Sequence, residues 1–263
     1  MKPLWIIKIG GNVIDNPEAL DSFLKDFSAL DGAKVLIHGG GKIATQIAKG
    51  LGVETQMVNG RRITDAEMLK IVTMVYGGLV NKNVVAKLQA NGTNAIGMTG
   101  ADGNVIKAIK RPVKEVDFGF VGDLTETSIN DTTLSQILEA GLIPVFAALT
   151  HDGNGQILNT NADTIASALA VGLSSRYETK LIYCFEKNGV LTDINNDDSV
   201  IAKINPAYFE ELTQQGIIAD GMLPKLQNAF AAISNGVKEV YIGNAGKLSD
   251  INQGKDFGTC LSL

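Results

Sequence analysis

Two lysines, an aspartate, an arginine and several glycine- or amide-rich turns carry the chemistry legible in this 263-residue chain. Lys8 ends the apolar run Leu4-Trp5-Ile6-Ile7 and stands two residues before Gly10-Gly11. A second turn, His38-Gly39-Gly40-Gly41-Lys42, follows Val35-Leu36-Ile37. Glycines at a strand's carboxyl end let the backbone turn tightly and come close to a ligand. Their amides, with the helix N-terminus that follows, make an anion site. Two such turns on adjacent strands would hold two anionic groups side by side, as in-line phosphoryl transfer requires. A lysine at the end of a buried strand is costly unless it reaches solvent or meets an anion. The adjacent glycines favour an anion, a phosphate.

Three further clusters extend this reading. In Asn59-Gly60-Arg61-Arg62-Ile63-Thr64, Arg62 sits just before a helix and offers a planar fork to a carboxylate, whereas Arg61 reads as a solvated hairpin charge. In Asn159-Thr160-Asn161-Ala162-Asp163, either asparagine could cap the following helix. Three amide or acid side chains at i, i+2 and i+4 exceed what a cap requires. On an extended segment Asn159 and Asn161 would point the same way, toward a ligand, and Asp163 could orient lysines by charge pairing. In Asp220-Gly221-Met222-Leu223-Pro224-Lys225, the lysine falls in the first turn of an apolar helix, against the helix dipole. A phosphate or Asp163 would resolve that conflict. Residues 39–44 also match G-x-G-x-x-A, a dinucleotide fingerprint that would make the chain a nicotinamide-dependent oxidoreductase. That match is weak, because the motif follows the second strand and a hairpin comes next. His38 reads as a packed strand-end histidine.

Strand and helix patterns alternate around these clusters. Strands are expected at 4–9, 34–38, 94–98, 143–148, 180–185, 238–242 and 258–263. Helices are expected from Pro17 with Asn16 as cap, and at 42–51, 65–90 with Thr64 as cap, 130–140, 161–172 ending at Gly172, 206–214 and 222–235. The long helix would bury Met68, Leu69, Val72, Val75 and Leu79. Asn59-Gly60 marks a hairpin turn within 53–63, and 152–155 marks another. Segment 173–179 is the candidate junction between two lobes. The alternation implies a mainly parallel sheet with helices on both faces and ligands at the strand carboxyl ends.

Hydrophobic residues make up 45% of the chain and charged residues 19%, enough for a sizeable core. The net charge of −5 and the absence of a basic cluster argue against a nucleic-acid partner. No apolar run is long enough for a membrane span. No targeting segment is visible, and Cys184 and Cys260 lie in apolar stretches as reduced thiols, so a cytoplasmic protein is expected. The spacing of two histidines and two cysteines supplies no metal site.

Together, Lys8-x-Gly-Gly, His38-Gly-Gly-Gly, Asn59-Gly-x-Arg62-x-Thr64, Asn159-x-Asn161-Ala-Asp163 and Asp220-Gly-Met-x-x-Lys225 resemble the amino acid kinase family, in its acylglutamate-phosphorylating branch. The resemblance implies a three-layer αβα sandwich with a mainly parallel central sheet in two lobes. Residues 1–174 would bind the acyl-amino acid and 175–263 would bind ATP. It further implies ATP-dependent phosphorylation of the γ-carboxylate of an N-acylglutamate, N-acetyl-L-glutamate or its N-succinyl counterpart, in arginine biosynthesis. Carried over, Lys8 and Lys225 neutralise the transferring phosphoryl group and Asp163 holds both lysines. Gly40 and Gly41 lie against the acyl substrate. Arg62 and Asn159 grip its α-carboxylate, with Asn161 beside them. Gly10, Gly11, Glu186, Gly189, Leu191, Ile217 and Ile218 would contact ATP, with Mg2+ carried on the phosphates. One departure stands out: Cys184-Phe185-Glu186-Lys187-Asn188-Gly189 replaces the family's T/S-D-V-x-G, so that Glu186 stands where an aspartate is usual. The first strand begins at Leu4, before which there is no room for the N-terminal helix of arginine-inhibited hexamers. Arginine is therefore not expected to inhibit, and the resemblance, with the frequency of two-fold homo-oligomers, implies a homodimer.

Overall fold

A computed structural model describes residues 1–218 and 222–263 of the chain. Asp220 and Gly221 of the last motif lie outside the described residues. Strand β1 (Lys2–Ile9) leads into α1 (Gly11–Asp15) and α2 (Pro17–Ala29), and β2 (Ala33–His38) into α3 (Gly41–Gly50). The hairpin β3 (Met57–Val58) and β4 (Arg61–Arg62) precedes a long helix made of α4 (Ala66–Val72), a π segment (Thr73–Val80) and α5 (Asn81–Ala90). Next come β5 (Ala95–Met98), the short antiparallel pair β6 (Ile109–Lys110) and β7 (Gly122–Asp123), α6 (Asp131–Glu139) and β8 (Ile143–Ala147). A hairpin of β9 (Leu149–His151) and β10 (Ile157–Asn159) then runs into α7 (Ala162–Leu173). The rest comprises β11 (Tyr177–Phe185), β12 (Lys203–Ile204), α8 (Pro206–Gln214), α9 (Met222–Ser234), β13 (Glu239–Asn244), α10 (Ser249–Asn252) and β14 (Thr259–Leu261).

Eight strands form one sheet in the order β12-β14-β13-β11-β1-β2-β8-β5. It is parallel from β13 to β5, while β14 runs antiparallel to β13 and parallel to β12. Period-two alternation along β1 assigns the two faces. Leu4 and Ile6 join the apolar layer containing Ile165 and Leu169 of α7 and Leu226 and Ala229 of α9. Ile7 and Ile9 join the layer containing Phe23 and Phe27 of α2 and Val84 and Leu88 of α5. Lys8 shares the parity of Leu4 and Ile6, so the pleat itself aims it toward α7 and α9.

Local signals acted largely as expected. Asn16 Oδ1 accepts from the amides of Glu18 and Ala19, both at 3.1 Å, with Pro17 in the first helical position. Asn59 and Gly60 both take positive φ, 49° and 72°, as a two-residue hairpin turn requires. Four expectations need correction. Thr64 is not the cap of the long helix: Asp65 accepts from Met68 N at 2.8 Å, while Thr64 is fully buried. Leu79 is not core but 47% exposed, because the π segment bonds i to i+5 and turns the apolar stripe away from α-helical phase. Helix α7 does not stop at Gly172, which lies inside it where a Cβ would meet Ile129 at 2.7 Å. The strand expected at 180–185 starts earlier: Tyr177, Glu178 and Thr179 already pair with Lys2, Pro3 and Leu4 in the middle of the sheet.

Candidate active site

The carboxyl ends of the central strands are crowded with polar groups. Lys8 pairs in register with Ile37 and Tyr183 on its two neighbours, and Ile9 with His38 and Cys184. Lys8 Nζ lies 2.8 Å from Asp163 Oδ1, in the first turn of α7. A carboxylate there is favoured by the helix dipole. The Lys8 side chain is only 12% exposed, so its charge depends on this partner. Tyr183 and Phe185 lie on the same face of β11, since they share parity and pack against the same layer. Phe185 reaches both lysines, with Lys225 Nζ 3.6 Å and Lys8 Nζ 5.3 Å from its ring centroid.

The expectation that Asp163 holds both lysines is therefore only half met. Among the described residues Asp163 makes an ion pair with Lys8 alone, and Lys225 rests on the Phe185 face. Burial holds the Lys225 ammonium below its ordinary pKa; the Asp163 carboxylate opposes that shift and Lys8 adds to it.

Two adjoining clefts flank this point. The first, about 260 Å³, is lined by residues that include Gly39, Gly40, Gly41, Arg62, Tyr76 and Asn159. The second, about 440 Å³, is lined by Asp163, Tyr183 and Lys225 among others. Arg61, Asn161 and Thr164 line both. Arg62 crosses from β4 to the glycine turn. Its Nη2 donates to Gly41 O and Thr45 Oγ1, both at 2.8 Å, and its Nη1 to Thr55 Oγ1 at 3.3 Å. The residue is 9% exposed, and its guanidinium meets no carboxylate within 4 Å among the described residues. An oriented, largely buried cation facing a cleft calls for an anion.

Gly40 has φ of 150°, and a Cβ there would sit 3.0 Å from the Tyr76 ring, so only glycine fits. His38 braces the turn from below. Nδ1–H donates to Gly39 O at 2.8 Å, and Nε2 accepts from Asn81 Nδ2 at 3.0 Å. Complete burial lowers its pKa to about 4, keeping the ring neutral in this role. Asn159 Nδ2 donates to Thr64 Oγ1 at 2.9 Å, tying the end of β10 to a position two residues past β4. Asn161 is the cap of α7: its Oδ1 accepts from Thr164 N at 3.0 Å, which leaves only its amide NH2 for a ligand.

The remaining predicted residues behave differently. The Gly10 amide donates to Cys184 O at 3.1 Å and is not free for a ligand. Gly11 opens α1, where its amide has no helical acceptor and nothing lies where its Cβ would be. Neither cleft's lining includes Glu186, Gly189, Leu191, Ile217 or Ile218. Glu186 is exposed, and its carbonyl accepts from Asn244 Nδ2. Gly189 packs under Thr259, and Leu191 and Ile218 are buried. Sequence reasoning missed Thr45 and Thr55, which orient Arg62, and Tyr76, which roofs Gly40. It also missed the Arg111–Asp123 pair in the first cleft, 2.6 Å apart. A threonine one turn into the helix after a glycine turn was the available signal for Thr45. No local pattern marks the others.

The glycine turn at 39–41 lines the first cleft beside Arg62, and no strand–helix unit of dinucleotide type follows it, because the next element after α3 is the β3–β4 hairpin. Nothing favours the oxidoreductase alternative. Over 263 residues the chain is 59% identical to an acetylglutamate kinase of Cytophaga hutchinsonii, covering 99% of each. Over 251 residues it is 58% identical to an acetylglutamate kinase of Phocaeicola vulgatus, covering 95% of this chain and 96% of that one. The crystal structure of smu.665 from Streptococcus mutans UA159 superimposes with a TM-score of 0.76 at 29% identity, covering 99% of this chain and 98% of that one. The family model described as the amino acid kinase family matches residues 3–244, which span every cluster placed around these clefts, and the chain belongs to that family.

Proposed function

We propose that this kinase phosphorylates the γ-carboxylate of an N-acylglutamate, N-acetyl-L-glutamate first of all, at the expense of ATP. The observation that carries the reading is the buried Arg62 guanidinium, which lines the first cleft, is oriented by Gly41 and Thr45, and has no carboxylate within 4 Å among the described residues. Beside that cleft stand two lysines and one aspartate. The named relatives agree with it.

In this reading Arg62 and Asn159 take the α-carboxylate, with the Asn161 amide beside them. That leaves the γ-carboxylate free near Gly40 and Gly41. A carboxylate is ionised at neutral pH, so it attacks the γ-phosphorus without a general base. The bond from phosphorus to the β,γ-bridging oxygen breaks, giving ADP and an acyl phosphate. Charge spreads over the equatorial oxygens, where Lys8, Lys225 and the Gly11 amide sit to receive it. ATP lies on the C-terminal half of the sheet, with Glu186, Gly189, Leu191, Ile217 and Ile218 on that side. Magnesium travels with the phosphates, since Asp163 is engaged by Lys8.

One observation favours a second reading of the acyl group. Arg61 lines both clefts without an acidic partner within 4 Å among the described residues, whereas Arg111 is neutralised by Asp123. An acyl group ending in a carboxylate, N-succinyl, would pair with Arg61. A coupled ADP-release assay with N-acetyl- and N-succinylglutamate side by side decides between them. Turnover with neither ends the proposal. We also place a two-fold homodimer interface on the long helix, where Met74 is 56% and Leu79 47% exposed and Gly78 leaves open space. Light scattering on wild type and on Met74→Glu tests that placement.

A further inference from the structure

The reaction centre holds two lysine cations and one carboxylate. Asp163 takes Lys8 at 2.8 Å. The ring of Phe185 lies under the other cation, with Lys225 Nζ 3.6 Å from the ring centroid. That distance is well inside the range in which an ammonium is drawn to an aromatic face. The ring is itself held in place. Tyr183, buried two residues earlier on the same strand face, stacks against it at 6.3 Å and 21°. We propose that Phe185 is a positioning residue of the transfer site: its face carries the Lys225 ammonium at close range, while Lys8, 5.3 Å from the same centroid, is held by Asp163, so the two cations do not compete for one carboxylate.

The chemistry suits the task. A second carboxylate at position 185 would bind Lys225 too firmly and repel an incoming phosphate. An aliphatic side chain would leave the ammonium unpartnered in a half-buried site. A ring face attracts the cation without carrying net charge, so Lys225 can pass to a phosphoryl oxygen when one arrives. This inference rests on reading Lys8 and Lys225 as the phosphoryl-binding cations.

The test is a fluorine series at Phe185 in the full-length chain, with 4-fluoro-, 3,5-difluoro- and 3,4,5-trifluorophenylalanine. Fluorine drains negative potential from the ring face and keeps the ring's shape, so packing is preserved. Two readouts are taken. The Lys225 ammonium is titrated by NMR on protein labelled at lysine Cε, with its signal assigned through Lys225→Arg. The kcat is measured with saturating ATP and N-acylglutamate. The titration midpoint should fall stepwise, by about one pH unit in total. The kcat should fall about 5- to 30-fold across the series at an unchanged KM for the N-acylglutamate. Phe185→Tyr, which keeps a ring face, should stay within about 2-fold of wild type. A flat titration overturns the inference. So does a graded titration with a flat kcat, because the contact would then exist without orienting the reacting cation. An unmodified chain that turns over no N-acylglutamate defeats the proposed function instead, and the titration still decides the role of the ring.

Discussion

Replacing Arg62 by lysine tests the acyl-binding assignment most directly. The guanidinium spans Gly41 O and Thr45 Oγ1 with one nitrogen and reaches Thr55 with another. A lysine keeps the charge but ends in a single ammonium, so it cannot hold Gly41, Thr45 and Thr55 in place and also leave a donor for a carboxylate. Losing one hydrogen bond to a charged group costs about 1.5–3 kcal/mol. At about 1.4 kcal/mol per decade, the KM for the N-acylglutamate should rise roughly 10- to 150-fold. The KM for ATP should change by less than about 3-fold, because no contact of Arg62 reaches the C-terminal half of the sheet. Initial rates over a matrix of both substrate concentrations give the two constants. Thermal melts with and without N-acylglutamate show whether ligand stabilisation is lost in parallel. A KM increase confined to ATP, or shared equally, would refute the assignment of the first cleft.

Three further outcomes follow from the geometry. Lys8→Met should leave folding intact and lower kcat by about 10²- to 10³-fold, the usual loss for one preorganised group that stabilises transition-state charge; a kcat near wild type would remove Lys8 from the reaction. Burial depresses the His38 pKa from 6.5 to about 4, so its stabilising effect is complete above about pH 6.5 and is lost as pH falls through the folded value. Urea unfolding across pH 7 to 4 should show a loss of roughly 3 kcal/mol in wild type that is absent in His38→Gln; parallel curves would contradict this. Gly119 has φ of 72°, and a Cβ there would lie 2.2 Å from Thr64 O, so Gly119→Ala should destabilise by about 3 kcal/mol or more in calorimetry. An unchanged melting temperature would show that the 118–120 backbone moves freely.

The sheet and most helices were legible because their signals are local. Asn16-Pro17 opens α2, Asn59-Gly60 turns the hairpin, and period-two apolar runs mark the strands. Lys8, Arg62 and Asp163 stood out because charge beside glycine or within apolar sequence is costly. What stayed hidden depended on distant partners. Thr64 and Asp65 are both capping residues by type, and only the contact between Asn159 and Thr64 decides which one caps. The π segment leaves no mark on composition, so an α-helical repeat places Leu79 in the core although it is exposed. Phe185 reads as one more apolar strand residue until the fold brings α9 over it. The extended run before Leu181 looked like a connector because Glu178 and Thr179 are polar, yet both lie in the central ladder.

The seam between the two halves of the sheet has a mechanical consequence. Strands β1 and β11 pair over eight successive residues, from Lys2 opposite Tyr177 to Ile9 opposite Cys184. The two halves are thus joined by a continuous ladder, and parting them at that seam would break its hydrogen bonds. Parts with few ties to that ladder move at lower cost. The tip of the β3–β4 hairpin, Asn59-Gly60, is such a part, whereas Arg62 at its base stays tied to Gly41 and Thr45. A molecule built this way sets its reaction distance in the ladder and leaves entry and exit to its rim. Temperature or crowding that loosens the rim would then change how often substrate is captured far more than how well it is aligned once inside.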